Sequence, residues 1–337
     1  MGNGIVYTAD DRSLLLPWYK RFLVEPTLPF IPARVHPNSI THTGHLLCLA
    51  AIALLVAGQA TRGWMFIASM VLVQVYMWCD NADGAHARRT RQSSATGEFL
   101  DHGLDLLNTT YIGLMTAYAL GSSPSHLVMW AILVPGAAAM TCWEQTETGV
   151  FRIGLLNQIE SVTVLSFTMV VAAVYGNGVW RTIHLGPITA YDFFHYWPVC
   201  TIAFGELRRF GRVRAVGHSL APALAYFTLQ GAVALVFALG HISAVVAAGF
   251  AILGTLFLGL RALSLRLQGA TNRVEPLFLV GAFGLLGYAG ACSAGMSCSH
   301  SAGVLLAVVS LGVYGLFSVN EARLSLNNLA RLEPGRG

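Results

Sequence analysis

Residues 71–120 read VLVQVYMWCDNADGAHARRTRQSSATGEFLDHGLDLLNTTYIGLMTAYAL. Two apolar runs, VLVQVYMWC and LLNTTYIGLMTAYAL, enclose a polar stretch from Asp80 to Asp105. Each run, continued into its apolar neighbours, reads as a membrane-length helix. Asp80 and Asp83 are three apart at the end of the first helix and share a face. Asp101 and Asp105 are four apart and share a face of the second. A short turn between the helices brings four carboxylates together, where burying them is costly unless they are paired or metal-bound.

Outward from this stretch the same apolar pattern recurs. The 337-residue chain is 55% hydrophobic and 11% charged, with a mean hydropathy of +0.61. That composition describes an all-α polytopic membrane helical bundle in a lipid bilayer, not a soluble domain, and it calls for no nucleic-acid partner. The 35 glycines suit close helix packing in lipid. Clear spans are expected at about 38–59, 64–82, 97–120, 125–143, 158–175, 220–240, 242–260, 275–294 and 302–319. Asn38 and Ser39 can cap the first of them.

Residues 190–207, AYDFFHYWPVCTIAFGEL, are only patchily apolar, and the basic residues decide whether they cross. If they do, there are about ten transmembrane helices, and both termini and the Asp80–Asp105 stretch are cytoplasmic. Of the 20 Lys and Arg, only Arg62 and Arg181 then lie outside. If they do not, Arg208, Arg209, Arg212 and Arg214 move to the far side and the bias weakens.

Before the first span, residues 10–36 mix Leu14, Leu15, Leu16, Trp18, Phe22 and Leu23 with Lys20, Arg21 and Arg34, interrupted by prolines. This reads as an N-terminal amphipathic interfacial helix lying on the membrane. The opening residues, MGNGIVYTADDRS, lack the basic region and apolar core of a cleavable signal. The expected organisation is a single membrane domain over 1–337: an interfacial segment 1–37, catalytic helices 38–175 and further membrane helices 176–337. Of the six cysteines, Cys292 and Cys298 are close enough in sequence to pair if their loop faces an oxidising space.

Hard carboxylate oxygens select Mg²⁺, Mn²⁺ or Ca²⁺, and two such ions can bridge a diphosphate. Gly84 and Gly97 allow close approach of a ligand, and Arg88 offers planar donors to phosphate. Arg88, Arg89 and Arg91 by themselves read as cytoplasmic anchors. A cation transporter competes with an enzyme, because intramembrane carboxylates also mark ion pathways. Glu98 and His102 are four apart beside Asp101, and a His next to carboxylates can serve as general base.

The stretch fits D-x2-D-G-x2-A-R-x8-G-x3-D-x3-D at Asp80, Asp83, Gly84, Ala87, Arg88, Gly97, Asp101 and Asp105. It thereby resembles the CDP-alcohol phosphotransferase family. ADDRSLLLPWYKRF with PNSIT, ARRTRQSSATGEFLDHGLDLLN and TCWEQTETGVFRIG resemble its choline/ethanolamine phosphotransferase branch, over roughly residues 7–161. One departure is Ala85, where that branch usually carries Lys.

The resemblance implies a membrane enzyme of phospholipid biosynthesis. It would move phosphocholine or phosphoethanolamine from CDP-choline or CDP-ethanolamine to diacylglycerol, releasing CMP. It implies two Mg²⁺ (or Mn²⁺) ions on Asp80, Asp83 and Asp101, with Asp105 a further ligand or the base. Asn38, Gly84, Ala87, Arg88 and Gly97 are its implied CDP contacts. Glu98 and His102 are implied as necessary for the reaction, and His102 or Asp105 takes the hydroxyl proton. A homodimer is compatible with it. The inverse use of the site, phosphatidyl transfer from CDP-diacylglycerol to a small alcohol, is the alternative enzyme reading. Glu144, Glu147 and Glu160, with Trp143, are candidates for holding a cationic amine or else ordinary interface residues.

Overall fold

The computed structural model describes residues 8–58, 62–154, 157–268, 275–294 and 300–332. Long helices occupy each region expected to cross: α1 (Pro37–Ala57), α2 (Gly63–Thr90), α3 (Ala95–Ala119), α4 (Pro124–Thr148) and α5 (Gln158–Tyr175) come first. Then follow α6 (Ala190–Ala215), α7 (Ala221–Ala238), α8 (Ala244–Gln268), α9 (Glu275–Ser293) and α10 (His300–Leu332). Among the described residues, six have the length and hydropathy to cross a membrane: α1, α2, α4, α5, α7 and α8. The protein is an all-α membrane bundle.

Several helices outrun their apolar segments, because a backbone that leaves the apolar layer can keep its ladder through Arg, Glu and Gln, which are good helix formers. Thus α2 does not stop near Ala82. It carries Asp80 and Asp83 through two further turns and ends at Arg91, in the left-handed region at φ 59°. Arg88 and Arg89 lie in its last turn, where cations complement the helix dipole. TCWEQTET is likewise helical, the end of α4, closed by Gly149 at φ 75°. The cap of α1 is His36, not Asn38: its Nδ1 accepts from Asn38 N, and Pro37 takes the first helical position.

The chain divides into two compact units. The first comprises Thr8–Ser122 and Phe151–Thr201. Its core is built by α1, α2, α3 and α5, with Cys48, Leu55, Phe66, Val73, Tyr76, Met115, Leu165 and Met169 buried together. Two glycines let these helices close up. A Cβ at Gly44 would stand 2.9 Å from Cys79 Cβ, and one at Gly63 would stand 2.3 Å from the Ala173 carbonyl oxygen. Ahead of α1, residues 16–30 form a continuous run of helical turns. Trp18, Phe22, Leu23 and Phe30 are exposed on it, while Val24 is buried. Arg89 at the end of α2 donates to the carbonyls of Leu28 and Ile31, and His86 donates to that of Val35.

The second unit takes Ser123–Val150 and the helices from Ile202 onward. Here α4 packs on α8, α8 on α7 and α10, and α7 on α9. Tyr226, Phe257, Phe278 and Phe317 interlock edge to face, with centroids 5.7–6.0 Å apart. Polar pairs set the register of α8 against α10: Arg261–Glu321 at 2.8 Å, Ser264–Ser325 at 2.6 Å and Gln268–Asn328 at 3.1 Å. Both members advance together along the chain, so the two helices run parallel. Cys298, the expected partner of Cys292, lies outside the described residues, as do Arg273 and Arg336.

Candidate active site

The site lies in the first unit, where the amino ends of α1, α3 and α5 meet the carboxyl half of α2. Each element has a local reason to start there. Ser94 caps α3, its Oγ accepting from Gly97 N at 3.0 Å. Asn157 and Glu160 form a reciprocal capping box at the start of α5.

Asp80 on α2 and Asp101 and Asp105 on α3 come together, one carboxylate oxygen from each lying within 4.8 Å of the others. All three are partly buried. Three carboxylates at that range, flanked by apolar helices, can all be ionised only with a counter-charge beside them. An all-oxygen donor set of this kind fits Mg²⁺ or Mn²⁺.

Asp83 is placed differently. Its Oδ2 accepts from Thr41 Oγ1 at 2.5 Å and its Oδ1 from Gly84 N. The structure therefore groups Asp80, Asp101 and Asp105 and holds Asp83 one turn along, against α1.

The other residues named from the sequence line the same end of the unit. Asn38 and Gly97 adjoin, since a Cβ at Gly97 would lie 3.3 Å from Asn38 Oδ1 and 3.2 Å from Ser94 Oγ. A Cβ at Gly84 would meet only Arg88 Nη1, at 3.4 Å. Ala87 is buried and Arg88 exposed. His102 Nε2 is 4.0 Å from Glu98 Oε1 one turn back, and its ring lies against Phe151, centroids 5.2 Å apart.

Several residues escaped the sequence reading. Tyr76 Oη donates to Asp105 Oδ1 at 3.3 Å and Asn108 Nδ2 reaches the same oxygen at 3.5 Å. His45 Nδ1 lies 2.9 Å from Asn108 Oδ1, and Gln158 Nε2 donates to Tyr76 Oη. The one available signal was polarity at helical spacing: Asn108 follows Asp105 by three, and Thr41 and His45 are four apart on α1. Tyr19, in the helical run ahead of α1, feels Asp80. Burial first, then the Asp80 carboxylate, push its phenol up to about 12, so it stays a neutral donor.

The residues considered for an amine are engaged elsewhere. Glu160 Oε1 accepts from Ser13 Oγ at 2.7 Å and from Leu14 N and Leu15 N at 2.9 Å each. In the second unit, Glu144 is buried against Arg209 and Arg212, and Glu147 Oε2 is 2.5 Å from His218 Nδ1. Trp143, also there, is buried edge-on to Phe210.

Comparison with known proteins agrees with this arrangement. The family model described as CDP-alcohol phosphatidyltransferase matches residues 34–191, which contain the whole carboxylate cluster. Cholinephosphotransferase 1 of Gallus gallus is 30% identical over 236 residues, 63% of this chain and 69% of that protein. Choline/ethanolaminephosphotransferase 1 of Saccharomyces cerevisiae is 26% identical over 196 residues, 55% of this chain and 49% of that protein. CDP-diacylglycerol--serine O-phosphatidyltransferase of Encephalitozoon cuniculi is 31% identical over 157 residues, 45% and 41% of the two chains. The chain thus spans about two thirds of the first relative and under half of the other two. With its eight-position motif intact and three of the four motif aspartates gathered in one cluster, this chain belongs to the CDP-alcohol phosphatidyltransferase family.

Proposed function

We propose that the protein transfers phosphocholine or phosphoethanolamine from its CDP derivative to diacylglycerol. The observation that carries this is the cluster of Asp80, Asp101 and Asp105, in a chain related to a cholinephosphotransferase over 236 residues. Asp80, Asp101 and Asp105 would hold the divalent ions, with Asp83 joining them by turning from Thr41. Bound there, the ions would neutralise the diphosphate and the charge that builds on its leaving oxygen.

The protein's own residues do the rest. Arg88 and the backbone at Gly84 and Gly97 hold the CDP phosphates, and Asn38 adjoins them at the end of α1. The diacylglycerol hydroxyl oxygen bonds to the phosphorus that carries the alcohol. The bond from that phosphorus to the bridging oxygen breaks, and CMP leaves with the electron pair. The hydroxyl proton passes to a ring nitrogen of His102, which Glu98 orients. Asp105 is the less suited acceptor, because Oδ1 is already engaged by Tyr76 and Asn108.

A lipid acceptor has to reach this site from the bilayer. The exposed Trp18, Phe22, Leu23 and Phe30, with Lys20 and Arg21 beside them, support a surface-lying segment over residues 16–30. Ten crossings, with α3, α6, α9 and α10 completing the six, would place the site and both termini in the cytoplasm. The basic residues at the ends of α2, α6 and α8 support that orientation.

The Encephalitozoon relative motivates a second reading, phosphatidyl transfer from CDP-diacylglycerol to a small alcohol at the same carboxylates. Purified protein should be given Mg²⁺, diacylglycerol and radiolabelled CDP-choline or CDP-ethanolamine, and, in separate reactions, CDP-diacylglycerol with serine. Labelled phospholipid and CMP from the first set are expected. Product only from the second set would select the alternative, and none from either would refute transferase activity.

A further inference from the structure

The geometry points to Tyr76 and Gln158 as positioning residues for Asp105, joined in a hydrogen-bond relay backed by the α5 cap that also holds residues 13–15. This rests on the reading of the carboxylates as the cation site. Tyr76 is 1% exposed, its ring packed in the core of the first unit. Phenylalanine would fill that volume, so packing does not explain the hydroxyl, and a buried hydroxyl requires partners.

The partners fix its direction. The phenolic hydroxyl donates to Asp105 Oδ1, at 3.3 Å. The phenol oxygen must then accept from Gln158, which selects the amide orientation with Nε2 towards Tyr76. Gln158 is held in turn by its place at the first residue of α5. Asn157 Oδ1 accepts from Ile159 N at 2.8 Å, and Glu160 Oε2 accepts from Asn157 N at 3.2 Å. The other Glu160 oxygen takes three donors from Ser13, Leu14 and Leu15.

Hydrogen bonds therefore run from residues 13–15 through Glu160 to Asn157, and, across the Asn157–Gln158 peptide bond, from Gln158 through Tyr76 to Asp105. Their local effect is to stop the Asp105 carboxylate from turning away from Asp80 and Asp101. A cation then meets ligands that are already in place.

The test is Mn²⁺ binding to purified protein in detergent, read from the electron paramagnetic resonance signal of free Mn²⁺, with turnover measured alongside. Tyr76→Phe is expected to raise the half-saturating Mn²⁺ concentration about 10-fold, the effect of losing a hydrogen bond to a charged group. Excess Mn²⁺ should restore its turnover. Gln158→Leu should raise that concentration by roughly 3-fold, and the double variant should bind no worse than Tyr76→Phe alone.

A wild-type Mn²⁺ curve for Tyr76→Phe overturns the relay, as does lost turnover that excess Mn²⁺ leaves unrestored. If Tyr76→Phe does not yield folded protein, Gln158→Leu decides, because it leaves the phenol packed: a raised half-saturation supports the relay, and an unchanged one overturns it. Wild type that binds no Mn²⁺ overturns the cation site and the relay with it. Wild type that binds Mn²⁺ but turns over no CDP-linked alcohol overturns the substrate reading alone, and the variant curves still decide the relay.

Discussion

Glu144→Ala should destabilise the second unit and leave the affinity for the CDP-linked substrate unchanged. The Glu144 side chain is 1% exposed and accepts from Arg209 Nε at 3.1 Å, Arg212 Nε at 2.5 Å and Arg212 Nη2 at 2.9 Å. Glu206 also pairs with Arg209, so two carboxylates balance two guanidiniums. Removing one partner of a buried ion pair costs about 3–5 kcal/mol, because the charge left behind loses its compensation. Arg209 retains Glu206, and the Arg212 side chain is 37% exposed and can turn to water. Both points favour the lower end, about 3 kcal/mol. At about 2–4 °C per kcal/mol, the scaling for domains of 150–250 residues, the melting temperature should fall by roughly 6–12 °C. Detergent-purified protein heated and followed by size-exclusion recovery measures this. Glu144→Met combined with Arg209→Met should recover part of the loss, since apolar residues of similar volume replace such pairs well. A Glu144→Ala protein that melts with wild type but needs far more CDP-choline for half-maximal rate would refute the reasoning. It would make Glu144 a substrate contact.

Asp101→Asn should abolish both Mn²⁺ binding and turnover in protein that still elutes as a single folded species; full wild-type activity after exhaustive chelation would contradict the role given to the cluster. His102→Ala should lower kcat by about 10²–10⁴-fold, the usual loss for a positioned base, while CDP-alcohol binding persists; near-normal kcat would return the base role to Asp105. With Cys200 replaced, Ser93→Cys and Arg214→Cys should both label from the cytoplasmic face of sealed vesicles, and labelling of the second only from the opposite face would remove the crossing by α6.

The motif made most of the site legible, because i,i+3 and i,i+4 spacing reports directly which side chains share a helix face. What it could not report was contact between distant positions. Asp83 looked equivalent to Asp80, and only Thr41, 42 residues earlier, separates them. Tyr76 sits inside an apolar run, so its hydroxyl gave no sign of Asp105. The end of α2 was misplaced for a related reason. Gly84–Thr90 is polar enough to look like a loop, but a helix leaving the apolar layer has water to solvate its side chains and no need to stop. Glu160 was half-visible: Asn157 and Glu160 have capping-box spacing, yet nothing local announces that the same carboxylate also holds residues 13–15.

The parallel register of α8 and α10 has a consequence for how the chain is made. Arg261 and Glu321 are 60 residues apart. At roughly 5–20 residues per second, a ribosome takes about 3–12 s to pass from one to the other. Through that interval the nascent protein holds the Arg261 guanidinium in a half-built unit whose Glu321 counter-ion has not been synthesised. The helix made later carries the charge that pairs with an earlier one. Truncation before residue 321 would therefore deliver to the cell's quality-control machinery a product flawed well upstream of the cut.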